Sequence, residues 1–309
     1  MGKTIDDLTK SREARARILK QFDGELPQSI IRAEREDKAI DDIALNERKY
    51  TNTMRDGGDT GKMRDVDAAI RGSFSISGRT CRGEGAGLSR FPQNVGRKLV
   101  LFYTKKNDTV LDPFAGHNSR MELCWRAGRN YMGNDISAYF QEINEKIKKH
   151  LLSEARSDFF SDHFNATIEL TVGDSRHLPW ENGIGDFTIT SPPYYNLEHY
   201  GDEPEQLGLG ARSYYDFLNR LELVCEENFR VLKPGRFAIW CVNDFRLDGK
   251  FYSYHSDTIK IMQHAGFVQH DICIIDLGVT IAQAFAAQAV ENKLLPKRHE
   301  YALIFKKPM

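Results

Sequence analysis

The sequence predicts an α/β protein, in which a mostly parallel sheet of seven strands has helices on both faces. Two observations predict this fold. From about residue 109 onward, short apolar runs alternate with segments of helical periodicity, as in a layered α/β structure. Several of these apolar runs end in polar residues, and the carboxyl ends of parallel strands are where ligands bind in such sheets.

Seven apolar segments are the predicted strands: 109–114, 130–135, 168–174, 186–193, 236–244, 270–276 and 301–306. Between them, helical patterns cover 118–128, 137–152, 212–231 and 253–265. The third helix is followed by Lys233-Pro234-Gly235, a helix stop signal. A helix or a loop thus connects each predicted strand to the next.

Residues 1–70 are polar and helical in character, and we interpret them as a helical extension that precedes a domain of residues 71–309. Ser11 can cap a helix through Phe22, and Pro27 can begin another that runs towards Tyr50. The apolar face of the second helix is thin, which favours docking over an independent core. The glycine-rich stretch at 56–61 is typical of a flexible connection near the boundary.

The composition indicates a protein that works inside a cell. The chain has 309 residues, 40% hydrophobic, with no apolar run long enough for a membrane span and no apolar stretch at its start. The five cysteines are scattered and form no metal-ligand pattern with histidine, so we expect a reducing compartment, no metal and no membrane partner.

A formal net charge of −1 does not by itself indicate a polyanionic partner. Any contact with nucleic acid therefore depends on a local basic face, and the stretch between Arg71 and Lys106 offers one. Its candidate nucleic-acid contacts are Arg79, Arg82 and Arg90. An ordinary solvated surface is an equally good interpretation of any one of these charges.

The predicted strand ends favour a cofactor that contains adenosine but no pyrophosphate. Asp135 ends the second strand, at a spacing from the first turn that suits a carboxylate accepting both ribose hydroxyls. Gly116 allows the backbone to approach a ligand closely. The stretch 114–120 lacks the G-x-G-x-x-G that a nicotinamide dinucleotide requires.

The strongest motif is Ser191-Pro192-Pro193-Tyr194 at the end of the fourth predicted strand. Two prolines fix two φ angles and remove two N–H groups, so the turn is stiff and its carbonyls are expected to be free acceptors. Such a turn can receive a planar amine, and Tyr194 can stack on an extruded base. Tyr195 and Asn196, which follow, are expected to contact the nucleic acid.

Taken together, VLDPFAG, GNDIS, VGDSRHL, TSPPYYN, RVLKPGRFAIWCVND and KRHEYALIFKK resemble the motifs of the DNA amino-methyltransferases. These enzymes modify the 4-amino group of cytosine or the 6-amino group of adenine. The resemblance runs from about residue 90 to the end. It implies a Rossmann-like methyltransferase sheet whose last strand is antiparallel, S-adenosylmethionine as cofactor, and DNA as substrate.

The resemblance also implies roles for individual residues. It places the cofactor against Asp112, Phe114, Gly116, Asp135 (ribose), Asp174 (adenine), Pro92 and Asn94 (the segment that closes over the methionine part). The catalytic turn is Ser191, Pro192, Pro193 and Tyr194. A serine at its head favours cytosine N4 over adenine N6, although this turn also occurs among adenine enzymes. Methylation at cytosine C5 is disfavoured, because no cysteine follows a proline.

Two departures from the family pattern matter. Where many relatives continue with Gly-Ser-Gly-Thr-Thr, this chain has His117-Asn118-Ser119-Arg120. The room for target recognition is small, which leaves open a homodimer or a specificity partner. A methyltransferase of RNA or of a protein amide, and a degenerate nucleic-acid-binding subunit, are the alternatives. The expected setting is the cytoplasm of a bacterium or of a phage-infected host, in restriction and modification.

Overall fold

The structure is a computed structural model that describes residues 5–22, 26–33, 91–116, 120–157, 165–195, 197, 203–278 and 286–309. The predicted boundary near residue 70 and the basic residues Arg79, Arg82 and Arg90 lie outside the described residues, as does Asn196.

Helices and strands alternate along most of the described chain. The helices are α1 (Ile5–Lys20), α2 (Gln93–Tyr103), α3 (Met121–Arg126), α4 (Ala138–Ser157), α5 (Tyr214–Val231), α6 (Tyr254–His264) and α7 (Ala286–Glu291). The strands are β1 (Ile30–Arg32), β2 (Thr109–Asp112), β3 (Asn130–Asp135), β4 (Ile168–Val172), β5 (Gly185–Thr190), β6 (Leu232–Val242), β7 (Phe245–Leu247), β8 (Lys250–Tyr252), β9 (Val268–Asp276) and β10 (His299–Lys306).

The main sheet has eight strands in the order β1-β9-β10-β6-β5-β2-β3-β4. β10 is antiparallel to both of its neighbours, and the other pairs are parallel. The predicted seven strands and the antiparallel last strand are therefore confirmed. From β2 the chain builds outward through β3 and β4 and then returns to β5 on the other side of β2. The strand order therefore reverses between β2 and β5, where ligands bind in open α/β sheets.

Side chains of the central strands alternate between two apolar layers. Ile239 packs with the layer under α2, α3 and α4, whereas its neighbours Ala238 and Trp240 pack with the layer under α5 and α6. Ala302 and Leu303 divide in the same way. Every residue of β5 is buried, as expected for a strand covered by helices on both faces.

The amino-terminal extension differs from the prediction. A helix was expected from Pro27, but residues 30–32 form the edge strand β1, which pairs with β9. Backbone hydrogen bonds from Ile274 N to Ser29 O and from Ala33 N to Asp276 O support the pairing, and Ile31 is buried. Pairing with the edge of β9 satisfies the backbone hydrogen bonds of residues 30–32 and buries Ile31. These two gains outweigh the weak helical pattern of the segment. The first predicted helix is present as α1, but α1 begins at Ile5, so Ser11 lies inside the helix and the predicted cap is wrong.

Candidate active site

The ends of β2 and β5 are joined by a side-chain hydrogen bond. The Thr190 hydroxyl, at the end of β5, donates to Asp112 Oδ1, at the end of β2, at 2.7 Å. The residues that follow these two positions are the two motifs singled out in the sequence, 112–116 and 191–194. The structure thus brings both motifs to the point where the strand order reverses.

Asp112 holds this junction from inside the protein. Its carboxylate is fully buried and also accepts hydrogen bonds from Tyr131 Oη at 2.8 Å and from the backbone N–H of Phe114 at 3.3 Å. The sequence predicted that Asp112 borders the cofactor. Its oxygens are engaged by protein donors, so Asp112 shapes the turn, and its contact with the cofactor stays a prediction.

Arg120 is the main partner of Asp112. Its guanidinium donates to both carboxylate oxygens, at 2.6 and 3.2 Å, and to the Phe114 carbonyl at 2.5 Å, and it lies 5.4 Å from the centroid of the Phe91 ring. Although burial opposes the charge, the Asp112 carboxylate raises the pKa of Arg120. Arg120, where the sequence departs from the family pattern, is therefore a buried side chain that fixes the turn after β2 through Asp112 and the Phe114 carbonyl. Residues 117–119 lie outside the described residues.

Asp135 is positioned by two backbone donors. Its carboxylate accepts from Gly116 N at 2.8 Å and from Ser137 N at 2.9 Å. Gly116 has a φ of +56°, in the left-handed region that favours glycine, and its carbonyl accepts from Asn144 Nδ2 at 2.8 Å. Burial raises the pKa of Asp135 to about 6, against the effect of the two N–H groups. The remaining lone pairs of the half-buried carboxylate can accept further hydrogen bonds.

Asp174 caps the short 3₁₀ turn Ser175–His177 and forms an ion pair with Arg176 at 2.5 Å. Although burial opposes it, hydrogen bonding from Arg176 lowers the pKa of Asp174. Ser175 Oγ donates to the Pro113 carbonyl at 2.5 Å, which ties the end of β4 to the first turn. The predicted cofactor residues after β2, β3 and β4 are thus joined by hydrogen bonds at one edge of the sheet, which is the candidate cofactor cleft.

The segment before α2 also lies against this cleft, since Phe91 is under the Arg120 guanidinium. Pro92 is half-buried at the start of the helix. Asn94 Nδ2 donates to the Arg32 carbonyl of β1 at 2.8 Å. Asn94 therefore connects the helix to the edge strand, a contact that the sequence did not predict.

The diproline turn is partly accessible. Ser191, Pro193 and Tyr194 are half-buried, and Pro192 is buried. The Tyr254 hydroxyl donates to the Pro193 carbonyl at 3.0 Å. The expectation that the turn's carbonyls are free is therefore wrong for Pro193. Ser191 Oγ and the Pro192 carbonyl remain as the candidate acceptors for a substrate amine.

The rings of the two tyrosines have different surroundings. Phe245 and Tyr254 contact the Tyr194 ring edge-on, at centroid distances of 6.4 and 5.7 Å. Tyr195, with a φ of +27°, packs on α5 residues Tyr214 and Phe217 at 5.8 and 5.7 Å. Tyr195 is half-buried, and its contact with nucleic acid stays a prediction.

In the described part of the chain, no group of three or more His, Cys, Asp or Glu side chains is arranged to hold a metal ion. None of the described helices is long and apolar enough to cross a membrane.

A family model described as DNA methylase matches residues 29–146. The chain is similar to the type II beta methyltransferase M.BslI of Bacillus sp. (strain NEB-606), at 25% identity over 57% of this chain and 19% of the relative. It is similar to the type II methyltransferase M2.LlaDCHI of Lactococcus lactis subsp. cremoris, at 28% identity over 32% of this chain and 36% of the relative. These matches span less than two fifths of either relative.

Two further similarities were found. The orphan methyltransferase M.BamHII of Bacillus amyloliquefaciens is 28% identical over 22% of this chain and 26% of the relative. A solved SAM-dependent methyltransferase of Methanosarcina mazei matches 68% of this chain and 97% of its own, with 14% identity and a TM-score of 0.46.

Proposed function

We propose that this chain is a DNA amino-methyltransferase and that it transfers a methyl group from S-adenosylmethionine to the exocyclic amine of a base in DNA. The single observation that carries the proposal is the hydrogen bond between Thr190 and Asp112. It joins the residue before the diproline turn to the residue that begins the turn after β2, which supports a site where an amine and an adenosine-containing cofactor meet.

The residues of the cleft fit S-adenosylmethionine. Asp135 is fixed by two N–H groups and keeps lone pairs for the two ribose hydroxyls. Gly116 lets the backbone come close to a ligand, and the turn after Asp174 is held beside it by the hydrogen bond from Ser175 to the Pro113 carbonyl. When bound, the cofactor would supply the methyl group of its sulfonium: the N–C bond forms as the S–C bond breaks, S-adenosylhomocysteine leaves, and the methylated amine gives one proton to solvent. The chain supplies position.

At the diproline turn, a flipped-out base presents its amine to Ser191 Oγ and to the Pro192 carbonyl, which accept its two hydrogens. Accepting both hydrogens directs the nitrogen lone pair out of the turn and towards the cofactor cleft. Tyr254 keeps the turn in place through Pro193. Tyr194 offers a ring for base stacking, held by two aromatic neighbours.

We assign cytosine N4 as the favoured target, on the serine at the head of the turn. A role in restriction and modification, in the cytoplasm of a bacterium or a phage-infected host, is in keeping with the names and bacterial origin of the relatives. Because Arg79, Arg82, Arg90 and Asn196 are not described, their predicted contacts with DNA remain proposals.

The test is transfer of a tritiated methyl group from S-adenosylmethionine to DNA, RNA and protein in parallel, followed by nucleoside analysis of labelled DNA. We expect label in DNA as N4-methylcytosine, and its loss with Ser191→Ala while cofactor binding persists. Label found only in RNA or protein would contradict the substrate assignment. N6-methyladenine would correct the base and leave the reaction in place.

A further inference from the structure

A small hairpin rises from the carboxyl edge of the sheet, directly after β6. β7 and β8 pair only with each other in a two-stranded antiparallel sheet, with Arg246 opposite Phe251. The two residues between the strands, Asp248 and Gly249, have φ values of +50° and +77°. Positive φ at both central positions is typical of the type I′ turn, which matches the twist of a two-residue hairpin. The hairpin is therefore a regular two-stranded ribbon with a defined turn.

The inner side of the hairpin is anchored at the candidate active site. Phe245 and Leu247 are buried, and the Phe245 ring stacks on Tyr252 at 5.0 Å. Phe245 also contacts the rings of Tyr194 and Tyr254, at 6.4 and 5.9 Å. The ribbon therefore contacts the tyrosine of the diproline turn directly, through the Phe245 ring.

The rest of the hairpin is exposed and carries cations on both faces. Arg246 lies over the Phe251 ring at 4.9 Å, and Phe251 is 47% exposed. On the other face, Lys250 lies 5.0 Å from the Tyr252 ring. Among the residues that the structure describes, neither cation forms an ion pair with a carboxylate. Asp248, at the tip, is the acidic residue of the ribbon.

A third cation lies at the base of the hairpin. Lys297 Nζ donates to the Asp244 carbonyl, one residue before β7. Burial lowers the pKa of Lys297 to about 8, although the carboxylates of Asp244 and Glu300 raise it; the charge of Arg246 lowers it further. The exposed ribbon itself therefore carries two cations, Arg246 and Lys250, against one carboxylate, Asp248, whereas Lys297 at its base lies beside the carboxylates of Asp244 and Glu300.

We propose that the β7–β8 hairpin enters a groove of duplex DNA beside the flipped base, where Arg246 and Lys250 contact phosphates of the two strands. The proposal rests on the proposed function. A three-residue strand rises about 10 Å, and the major groove of B-DNA is about 8.5 Å deep and admits a two-stranded ribbon. Cations on both faces match the phosphates that border such a groove. Phe251 holds the Arg246 guanidinium in place and limits the ordering cost of binding.

The experiment compares the parent with Arg246→Ala/Lys250→Ala and with Phe251→Ala. The probe is a fluorescent duplex of mixed sequence, titrated at several salt concentrations, with its single strand as a second probe. Lys306→Ala is the matched control, because Lys306 also lies over an aromatic ring, Phe237 at 5.6 Å, but at the opposite edge of the sheet. Calorimetry with S-adenosylmethionine checks that each variant retains its fold and cofactor cleft.

For the double variant we expect weaker duplex binding and a slope of log affinity against log salt reduced by about two, one for each phosphate contact. Phe251→Ala should lose a smaller part of the affinity, and Lys306→Ala should match the parent. In methyl transfer, the double variant should raise KM for DNA and keep kcat.

An unchanged salt slope in the double variant, with a parent that methylates DNA, overturns the hairpin proposal and leaves the proposed function standing. Equal losses of affinity for the duplex and for the single strand overturn the proposal that the hairpin enters a groove of the duplex. A parent that neither binds nor methylates DNA overturns both proposals together.

Discussion

The Thr190 hydroxyl and the Asp112 carboxylate are 2.7 Å apart and connect the ends of β5 and β2. Each residue is fully buried, and each is followed directly by one of the two turns of the candidate site. The positions of these turns relative to each other therefore depend on a contact inside the protein. In-line methyl transfer depends on the same relative position, since misplacement of reacting groups by about 1 Å can cost about a hundredfold in rate.

Thr190→Val removes this hydrogen bond and keeps the shape of the side chain. Asp112 retains its other donors, so we expect a loss of about 1 kcal/mol in the free energy of unfolding, together with a lower kcat. The matched control is Thr188→Val on the same strand, where Thr188 Oγ1 accepts from Asn228 Nδ2 at 2.7 Å. It should cost similar stability in urea unfolding and leave kcat unchanged. Equal kcat values for Thr190→Val and Thr188→Val would contradict the link between this hydrogen bond and catalysis.

Arg120→Ala leaves Asp112 buried without its main charge partner. Removing one member of a buried ion pair costs about 3–5 kcal/mol, so we expect a loss of that order in the free energy of unfolding. Arg298→Ala is the control, since its pair with Asp276 is exposed and should contribute less than about 1 kcal/mol. Urea denaturation measures both variants. A loss below about 1 kcal/mol for Arg120→Ala would show that the buried ion pair is dispensable.

Tyr254→Phe tests the hydrogen bond that holds the diproline turn. Loss of the hydroxyl leaves the Pro193 carbonyl without this donor and should loosen the turn, lowering kcat by about fivefold for about 1 kcal/mol. Tyr214→Phe removes a hydroxyl from the same aromatic cluster, where it donates to Asp257 at 3.0 Å. This control should keep the parent's kcat. The idea fails if both phenylalanine variants have the same rate.

Cofactor binding should depend on pH through Asp135. Its pKa in the free protein is raised to about 6, so the carboxyl gains a proton as the pH falls below that value. Ribose hydroxyls donate best to the charged carboxylate, so affinity for S-adenosylmethionine should fall below pH 6, by up to about tenfold per pH unit. Calorimetry from pH 5 to 8 measures this, and Asp135→Asn should remove the pH dependence. An affinity for S-adenosylmethionine that does not change with pH in the parent would refute the role of the Asp135 carboxylate in binding the ribose.

Much of the fold could be predicted because short apolar runs alternate regularly with helical patterns along the chain. The seven predicted strands lie in the sheet, and the polar ends of β2, β3, β4 and β5 meet at one edge because these strands are parallel. The buried pair of Arg120 and Asp112 could not be predicted, since periodicity does not tell which side chains meet across a turn. The donor to the Pro193 carbonyl comes from a helix 61 residues away in sequence.

Two elements were missed for different reasons. β1 has only three residues, and its extended conformation depends on the open edge of β9, which local sequence does not reveal. The β7–β8 hairpin, by contrast, has a signal in the sequence. Asp248-Gly249 lies between short runs that contain aromatic residues, which is the strongest short-range indication of a two-residue hairpin.

The central claim is that one cleft holds the cofactor at Asp135 and the base at Tyr194. It is tested most directly by the steady-state kinetics of Asp135→Ala and Tyr194→Ala, with S-adenosylmethionine and DNA each varied. Asp135→Ala should raise KM for the cofactor and leave that for DNA unchanged. Tyr194→Ala should lower kcat/KM for DNA by the equivalent of about 1–3 kcal/mol and spare the cofactor. Two variants that behave like the parent, or that change the same parameter, would contradict the account.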